Sequence, residues 1–325
     1  MKKTLITLAT LLAVAGALAT AAVLLAGHRT GNTAPARLFL PPGTSLDAMC
    51  DSLRSAGILD GTATFRTTAT LCRMVGSTTE GSYLVQPATT TWSLVRKLRN
   101  RQQDPIMLTI GKFRTPEQLD AYLGTKLMHD DFATSLDSFH IVRPDTYEVY
   151  WTTSPAQLHG RLLREYDRFW QRRGVDSTAT CCGVVLTRRY IIVLASIVEE
   201  ETNNAAEKPL VASVYLNRLR QGIPLQADPT VKYAVGDFTL RRILNKHLQT
   251  ESPFNTYLHA GLPPAPICLP SAASVDAVLR APSTGYLYFC ASDALDGTHR
   301  FATTLSAHQR NASLFHAALN RLGIR

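Results

Sequence analysis

Nine residues, Tyr190-Ile-Ile-Val-Leu-Ala-Ser-Ile-Val198, form the most apolar stretch of the chain beyond its N-terminus, and three acids, Glu199, Glu200 and Glu201, close it. The stretch has the length and bulk of a core helix, where flush carboxylates are costly. Residues three and four apart share a helix face. Counting back three, four, seven and eight from Glu201 meets Val198, Ile197, Leu194 and Val193, all large and apolar. The same count from Glu199 meets Ser196 and Ala195, and from Glu200 it meets Ser196. Glu201 is therefore the acid drawn toward the apolar side. There its charged form is disfavoured and its pKa raised, as a general acid requires. The competing reading is a helix that ends in solvated acids, the commoner outcome for a terminal charge run.

A chain of 325 residues can bury more than one core. An apolar content of 45% with only 18% charged residues excludes a disordered protein. The net charge of +9 is spread along the chain. No arginine cluster interleaved with aromatics suggests a nucleic-acid groove. The basic surplus suits an anionic membrane or wall surface without selecting it.

Thr4 to Gly27 is a run of 24 uncharged residues behind Lys2 and Lys3. As a helix it reaches about 36 Å, enough to cross a hydrocarbon core of about 30 Å. Ala17-Leu18-Ala19 resembles a signal-peptide cleavage site. The apolar run nevertheless exceeds the usual core of about 7–15 residues and continues past that point, so a retained anchor is expected.

Six cysteines, Cys50, Cys72, Cys181, Cys182, Cys268 and Cys290, leave disulfides open outside the cytoplasm. Cys50 with Cys72 and Cys268 with Cys290 have suitable spacing, and the adjacent Cys181 and Cys182 do not suit each other. Small buried hydrophobes are an equal reading. No Cys-x-x-Cys spacing or histidine cluster calls for zinc, and no metal or cofactor is expected.

Past a polar linker, a strand at Leu38–Leu40, a helix capped by Ser45 and stopped at Gly57, a helix over 62–75 and a strand at Gly81–Val85 are predicted. The order is strand, helix, helix, strand. An amphipathic helix carrying Trp92, Val95 and Leu98 follows, then a strand at Ile106–Ile110 and a helix opened by Thr115. Pro144–Tyr147 is expected to be a turn. A long helix over 155–173 buries Leu158, Leu162, Leu163, Tyr166, Phe169 and Trp170. A mixed α+β domain then runs to the end. It holds the Glu201 helix, a helix over 207–221, a proline-rich loop over 252–270, a helix capped by Ser271, two strands and a last helix. Asp228 is placed at a helix N-cap with Pro229 at N1. Asn255 and Tyr257 lie before Gly261-Leu-Pro-Pro264, a stiff loop of the kind that lines clefts.

Ala195-Ser-Ile-Val-Glu-Glu-Glu-Thr202 resembles the catalytic motif of the endolytic murein transglycosylases, the YceG-like family. Val211-Ala-Ser-Val-Tyr-Leu-Asn-Arg-Leu219, Leu225-Gln-Ala-Asp-Pro-Thr-Val231, Phe254-Asn-Thr-Tyr257, Gly261-Leu-Pro-Pro264, Tyr286-Leu-Tyr-Phe289 and His299-Arg-Phe301 match further segments in the family's order, with Pro144-Asp-Thr-Tyr147 upstream. Two departures lie outside these segments. Gly111-Lys112 stands where the family has an acid–glycine pair, and a glycine before Pro144 is absent.

The resemblance implies an α+β protein in three parts. Residues 1–35 would be a cytoplasmic tail, transmembrane helix and linker, 36–103 a LysM-like subdomain and 104–325 the catalytic domain. It would be a single-pass inner-membrane protein whose catalytic part is periplasmic. Its substrate would be the glycan strands of peptidoglycan and its partners penicillin-binding synthases. Glu201, directly before Thr202, stands where the family has its catalytic acid, with Gln226, Asp228, Asn255 and Tyr257 as candidate substrate contacts. His299 is expected to support the fold. The implied reaction cleaves the MurNAc–GlcNAc β-1,4 bond and leaves a 1,6-anhydro end, terminating nascent strands. A muramidase, or a wall-binding scaffold without catalysis, are the alternatives.

Overall fold

The computed structural model describes residues 27–74, 79–240 and 242–323. The chain divides into two compact units. One gathers the residues up to Leu108 with Gly124–Asp130 and Tyr147–Ser154, and the other holds the rest. The expected anchor lies outside the described residues apart from Gly27. Among those described, no helix is long and apolar enough to cross a membrane.

In the first unit β1 (Ala36–Leu40), α1 (Leu46–Ser55), α2 (Ala63–Leu71) and β2 (Gly81–Val85) follow in the expected order. The two strands pair antiparallel, with Leu38 opposite Tyr83. Ser45 Oγ accepts from Ala48 N at 3.1 Å and caps α1. Gly57, at φ +64°, leaves the helix in the left-handed region. Helix α3 (Thr91–Arg99) buries Leu94, Val95 and Leu98. Trp92 is exposed, because the buried stripe runs through 91, 94, 95 and 98 and leaves position 92 on its flank.

Strand β3 (Ile106–Ile110), helix α4 (Pro116–Lys126) and strand β4 (Asp145–Val149) come next, and β3 pairs with β4. Pro144–Tyr147, expected as a turn, instead leads into β4. Proline is tolerated just before a strand, where no ladder donor is required. Helix α5 (Pro155–Gln171) buries Leu158, Leu162, Tyr166, Phe169 and Trp170 and leaves Leu163 exposed on its flank.

The hairpin of β5 (Thr178–Cys181) and β6 (Val184–Thr187) carries no Asn-Gly signal. Its two-residue turn is Cys182-Gly183, with φ of +47° and +78°. Positive φ at both positions is what a tight hairpin demands.

Helix α6 (Arg188–Glu201) buries every residue from Ile191 to Val198. A helix apolar all round is a core helix. It packs with α7 (Lys208–Arg220) and, later in the chain, with α8 (Asp228–Val235) and α10 (Ala272–Leu279), the short α9 (Asn245–Leu248) lying between those two in sequence. Removing one such side chain, as in Leu194→Ala, costs about 3 kcal/mol. Ser196, buried within α6, accepts from Ile267 N at 3.0 Å and so ties the proline-rich loop to the helix. Strands β7 (Tyr288–Ala291) and β8 (His299–Ala302) form a last hairpin, followed by α11 (Leu305–Arg321). The fold is mixed α+β with small two-stranded sheets.

All six cysteines are free. Cys50, Cys72 and Cys181 are buried in the apolar clusters, burial pushing the Cys181 thiol up to about 11. Cys268 is buried against α6, donating to Ser196 O at 3.5 Å. They act as small hydrophobes.

Candidate active site

Successive helical residues are turned by about 100°, so three consecutive glutamates aim their carboxyls in three directions. Carboxylates at a helix C-terminus also run against the helix dipole, and here each has found a different environment.

Glu199 points to the start of α7 and the cap of α10. Its Oε2 accepts from Lys208 Nζ at 2.9 Å, from Ser271 Oγ at 2.6 Å and from the Ser274 hydroxyl. Burial opposes its charge, but these donors outweigh that and hold its pKa at about 2. Glu200 lies 2.7 Å from Lys112 Nζ and 3.0 Å from Arg114, and its pKa is also lowered, burial being overcome by the two cations. Their side chains are only 14% and 13% exposed, so neither is a solvated terminal acid.

Among the described residues no cation pairs with Glu201. The Tyr215 hydroxyl donates to its Oε1. Desolvation raises its pKa to about 7. The Tyr215 hydrogen bond opposes the rise, and the charges of Asp228 and Glu200 add to it. The facing argument from periodicity thus picks the one acid of three that keeps its proton near neutrality.

Tyr215 and Arg218 lie on α7 with Val211, at spacings of four and three that place them on one face. Together with Glu201, Leu225, Gln226, Asp228 and Tyr257 they line a cavity of about 310 Å³, closed by Tyr288, Phe289, Leu305 and His308. Arg218 is 9% exposed, donates to Gln226 Oε1 at 2.7 Å and stacks over Tyr288 at 5.4 Å. Its Nε is buried without a hydrogen-bond partner among the described residues. Gln226 sits at φ +52°, a strained backbone for a side chain of its kind. That conformation is tied down by its own N–H donating to Thr256 O at 3.1 Å.

Asp228 is not the cap of α8. Ala227 occupies that position without a side-chain bond, and Asp228 is the first helical residue. Its Oδ1 accepts from Tyr257 Oη at 2.7 Å. Pro229 stands at the second helical position, still in the first turn where its ring is tolerated. Asn255 does not join the cavity. It is wholly buried, its amide donating to Leu248 O and Thr250 O at 2.9 Å each while Oδ1 accepts from Tyr257 N at 3.0 Å. It shapes the loop that presents Tyr257. His299, on β8, pairs with Glu207 at the start of α7 through Nδ1 at 2.8 Å, away from the cavity lining.

A second cavity, of about 400 Å³, shares Glu201 and Asp228 with the first and is lined further by Glu200, Pro229, Lys232, Arg242 and Ile243. Glu201 therefore stands where two hollows meet, an arrangement suited to an extended ligand. Tyr215, Arg218, Lys232 and Arg242 were not singled out from the sequence. The spacing of Val211, Tyr215 and Arg218 is the signal that would have found the first two.

Fold and site together define a class: mixed α+β proteins whose cleft centres on one proton-holding carboxyl beside two anchored ones. The chain belongs to the YceG-like family, whose model matches residues 38–313. A stretch of 115 residues is 40% identical to an endolytic murein transglycosylase of Bacillus subtilis (strain 168), covering 35% of this chain and 31% of that protein. A stretch of 111 residues is 30% identical to an endolytic murein transglycosylase of Streptococcus pneumoniae (strain D39), covering 33% of this chain and 20% of that one. These matches span a third or less of the relatives' own length. A crystal structure of a yceG-like protein from Listeria monocytogenes aligns over 86% of this chain and 99% of that one, at 22% identity and a TM-score of 0.48.

Proposed function

We propose that the protein is an endolytic lytic transglycosylase of peptidoglycan, cutting the β-1,4 bond between N-acetylmuramic acid and N-acetylglucosamine. The observation that carries this reading is Glu201 between two cavities, its pKa raised by burial to about 7, beside two neighbours whose pKa values are lowered by their donors and cations. Environments that push neighbouring carboxyls apart in pKa assign the acid.

Glu201 gives its proton to the glycosidic oxygen as the bond to C1 of the muramic residue breaks, through an oxocarbenium-like transition state. The carboxylate so formed takes the proton of that sugar's 6-hydroxyl, and O6 bonds to C1. Atoms balance without water, and the product is a 1,6-anhydro end. One carboxyl serves as acid and then base, and proximity of O6 to C1 supplies much of the rate. Tyr257 offers a ring face for a sugar. The Arg218 guanidinium, at the cavity wall, supplies positive charge and N–H groups on the side where the sugar oxygens would lie.

The same reading includes a membrane anchor over 4–27 and a LysM-like glycan-holding unit over 36–103, with the catalytic domain from 104 on the periplasmic side of the inner membrane. The uncharged run and the strand-helix-helix-strand order support it. Nascent glycan beside penicillin-binding synthases would be the place of action.

One observation favours a second reading, a muramidase. Asp228 shares both cavities with Glu201 and has no capping role, so a second carboxylate is at hand to activate water. Digestion of purified glycan by wild type and Glu201→Gln, with mass analysis of the ends, decides. The transglycosylase leaves ends lighter by one water, the muramidase leaves reducing ends, and unchanged cleavage by Glu201→Gln refutes both.

A further inference from the structure

Lys232 and Arg242 are cations facing the cavity beyond Glu201, and neither forms an ion pair among the described residues. Lys232 follows Asp228 by four residues on α8, so it lies on the same face about 6 Å further along. Arg242 comes from the segment between α8 and α9. The acids on this wall are otherwise engaged. Glu200 is neutralised by Lys112 and Arg114, and Asp228 accepts from Tyr257. Asp237, whose carboxylate senses Lys232, accepts from the N–H and hydroxyl of Thr239.

The two cavities differ in kind. The first is walled by the aromatic rings of Tyr215, Tyr257, Tyr288 and Phe289, with Tyr257 placed to stack on a sugar. The second has no aromatic side chain and carries free positive charge, which a neutral sugar does not use. A muramic residue differs from its neighbour by a lactyl group, and in wall glycan this bears a short peptide with free carboxylates. We infer that the Lys232–Arg242 cavity binds the carboxylates of this peptide, making the enzyme selective for peptide-bearing over peptide-free glycan. The inference rests on the glycan-cleaving reading above and names the substrate class within it. Cations placed this way act on selection and encounter more than on the chemical step.

The test compares kcat/KM of the full chain on peptide-bearing strands and on the same strands stripped of peptide by an amidase. Wild type is expected to prefer the peptide-bearing strand, and Lys232→Ala with Arg242→Ala is expected to bring the ratio toward one. The loss is about three- to tenfold for each cation. Lys232→Arg, which keeps the charge, retains the preference. A second readout needs no turnover. Glu201→Gln protein should lose affinity more steeply with rising salt for peptide-bearing muramic fragments than for peptide-free ones, which keep only the single lactyl carboxylate. A ratio equal in wild type and double variant, whatever the absolute rates, overturns the inference, as does equal salt sensitivity of the two fragments. Equal wild-type cleavage of both strands overturns it and leaves the glycan reading standing. No cleavage of either strand removes the glycan reading and this inference with it.

Discussion

The Tyr215 hydroxyl donates to the carboxyl of Glu201, joining the end of α6 to the middle of α7. The contact favours the ionised carboxyl and so restrains a pKa that burial drives upward. Without it Glu201 would hold its proton too tightly to give it away at neutral pH, because a general acid works best with a pKa near the operating pH.

Tyr215→Phe should therefore move the alkaline limb of the pH–rate profile upward by about one pH unit. The profile of kcat/KM against pH checks this, and an unmoved limb would separate Tyr215 from the tuning of Glu201.

Glu201→Gln should abolish glycan cleavage and stabilise the fold at alkaline pH. With a folded pKa of about 7 and an ordinary value of 4.5, the native state binds the extra proton between those limits. This contribution is fully present below pH 4.5 and is lost as pH rises through 7, a cost of about 3 kcal/mol. Thermal melts of the two proteins should coincide near pH 4 and separate at pH 8, with the variant higher.

Glu199 has the opposite sign. Its pKa of about 2 lies below the ordinary value, so its contribution is present above pH 4.5 and is lost as pH falls through 2. Glu199→Gln should cost about 3 kcal/mol at pH 7, since it also leaves Lys208 buried beside Ser274 without its charged partner. Denaturant titrations of both proteins at neutral pH and at pH 3 check this, the difference shrinking at the lower pH.

Asn255→Ala should destabilise the protein by about 2 kcal/mol, because it strips two part-buried carbonyls of their donor. Tyr257 loses the acceptor for its N–H, so KM should rise as well. A rise in KM without loss of stability would restore Asn255 as a direct substrate contact.

The sequence carried those features that depend on spacing along one element. The strand-helix-helix-strand order of 36–85, the capping serines Ser45 and Ser271, and the selection of Glu201 among three acids are each local properties of a helix or strand. The features it hid depend on what meets in space. Lys112 and Arg114 lie far from Glu200 in the chain, and nothing local marks them as its partners. The Cys182-Gly183 turn was hidden because a cysteine fills the left-handed position usually given to asparagine. Asp228, read both as a cap and as a candidate contact, lines the cavity and caps nothing. Asn255, also a candidate contact, is held in internal hydrogen bonds, because the path of the proline-rich loop decides both.

The central claim is that Glu201 keeps its proton near neutrality while Glu199 and Glu200 do not. Carbon-13 NMR of the side-chain carboxyls in protein labelled at glutamate, with Glu201→Gln to assign the signal, measures this directly. The account predicts one resonance, absent from the variant, that titrates near pH 7. Titration of that resonance between pH 4 and 5 would contradict it.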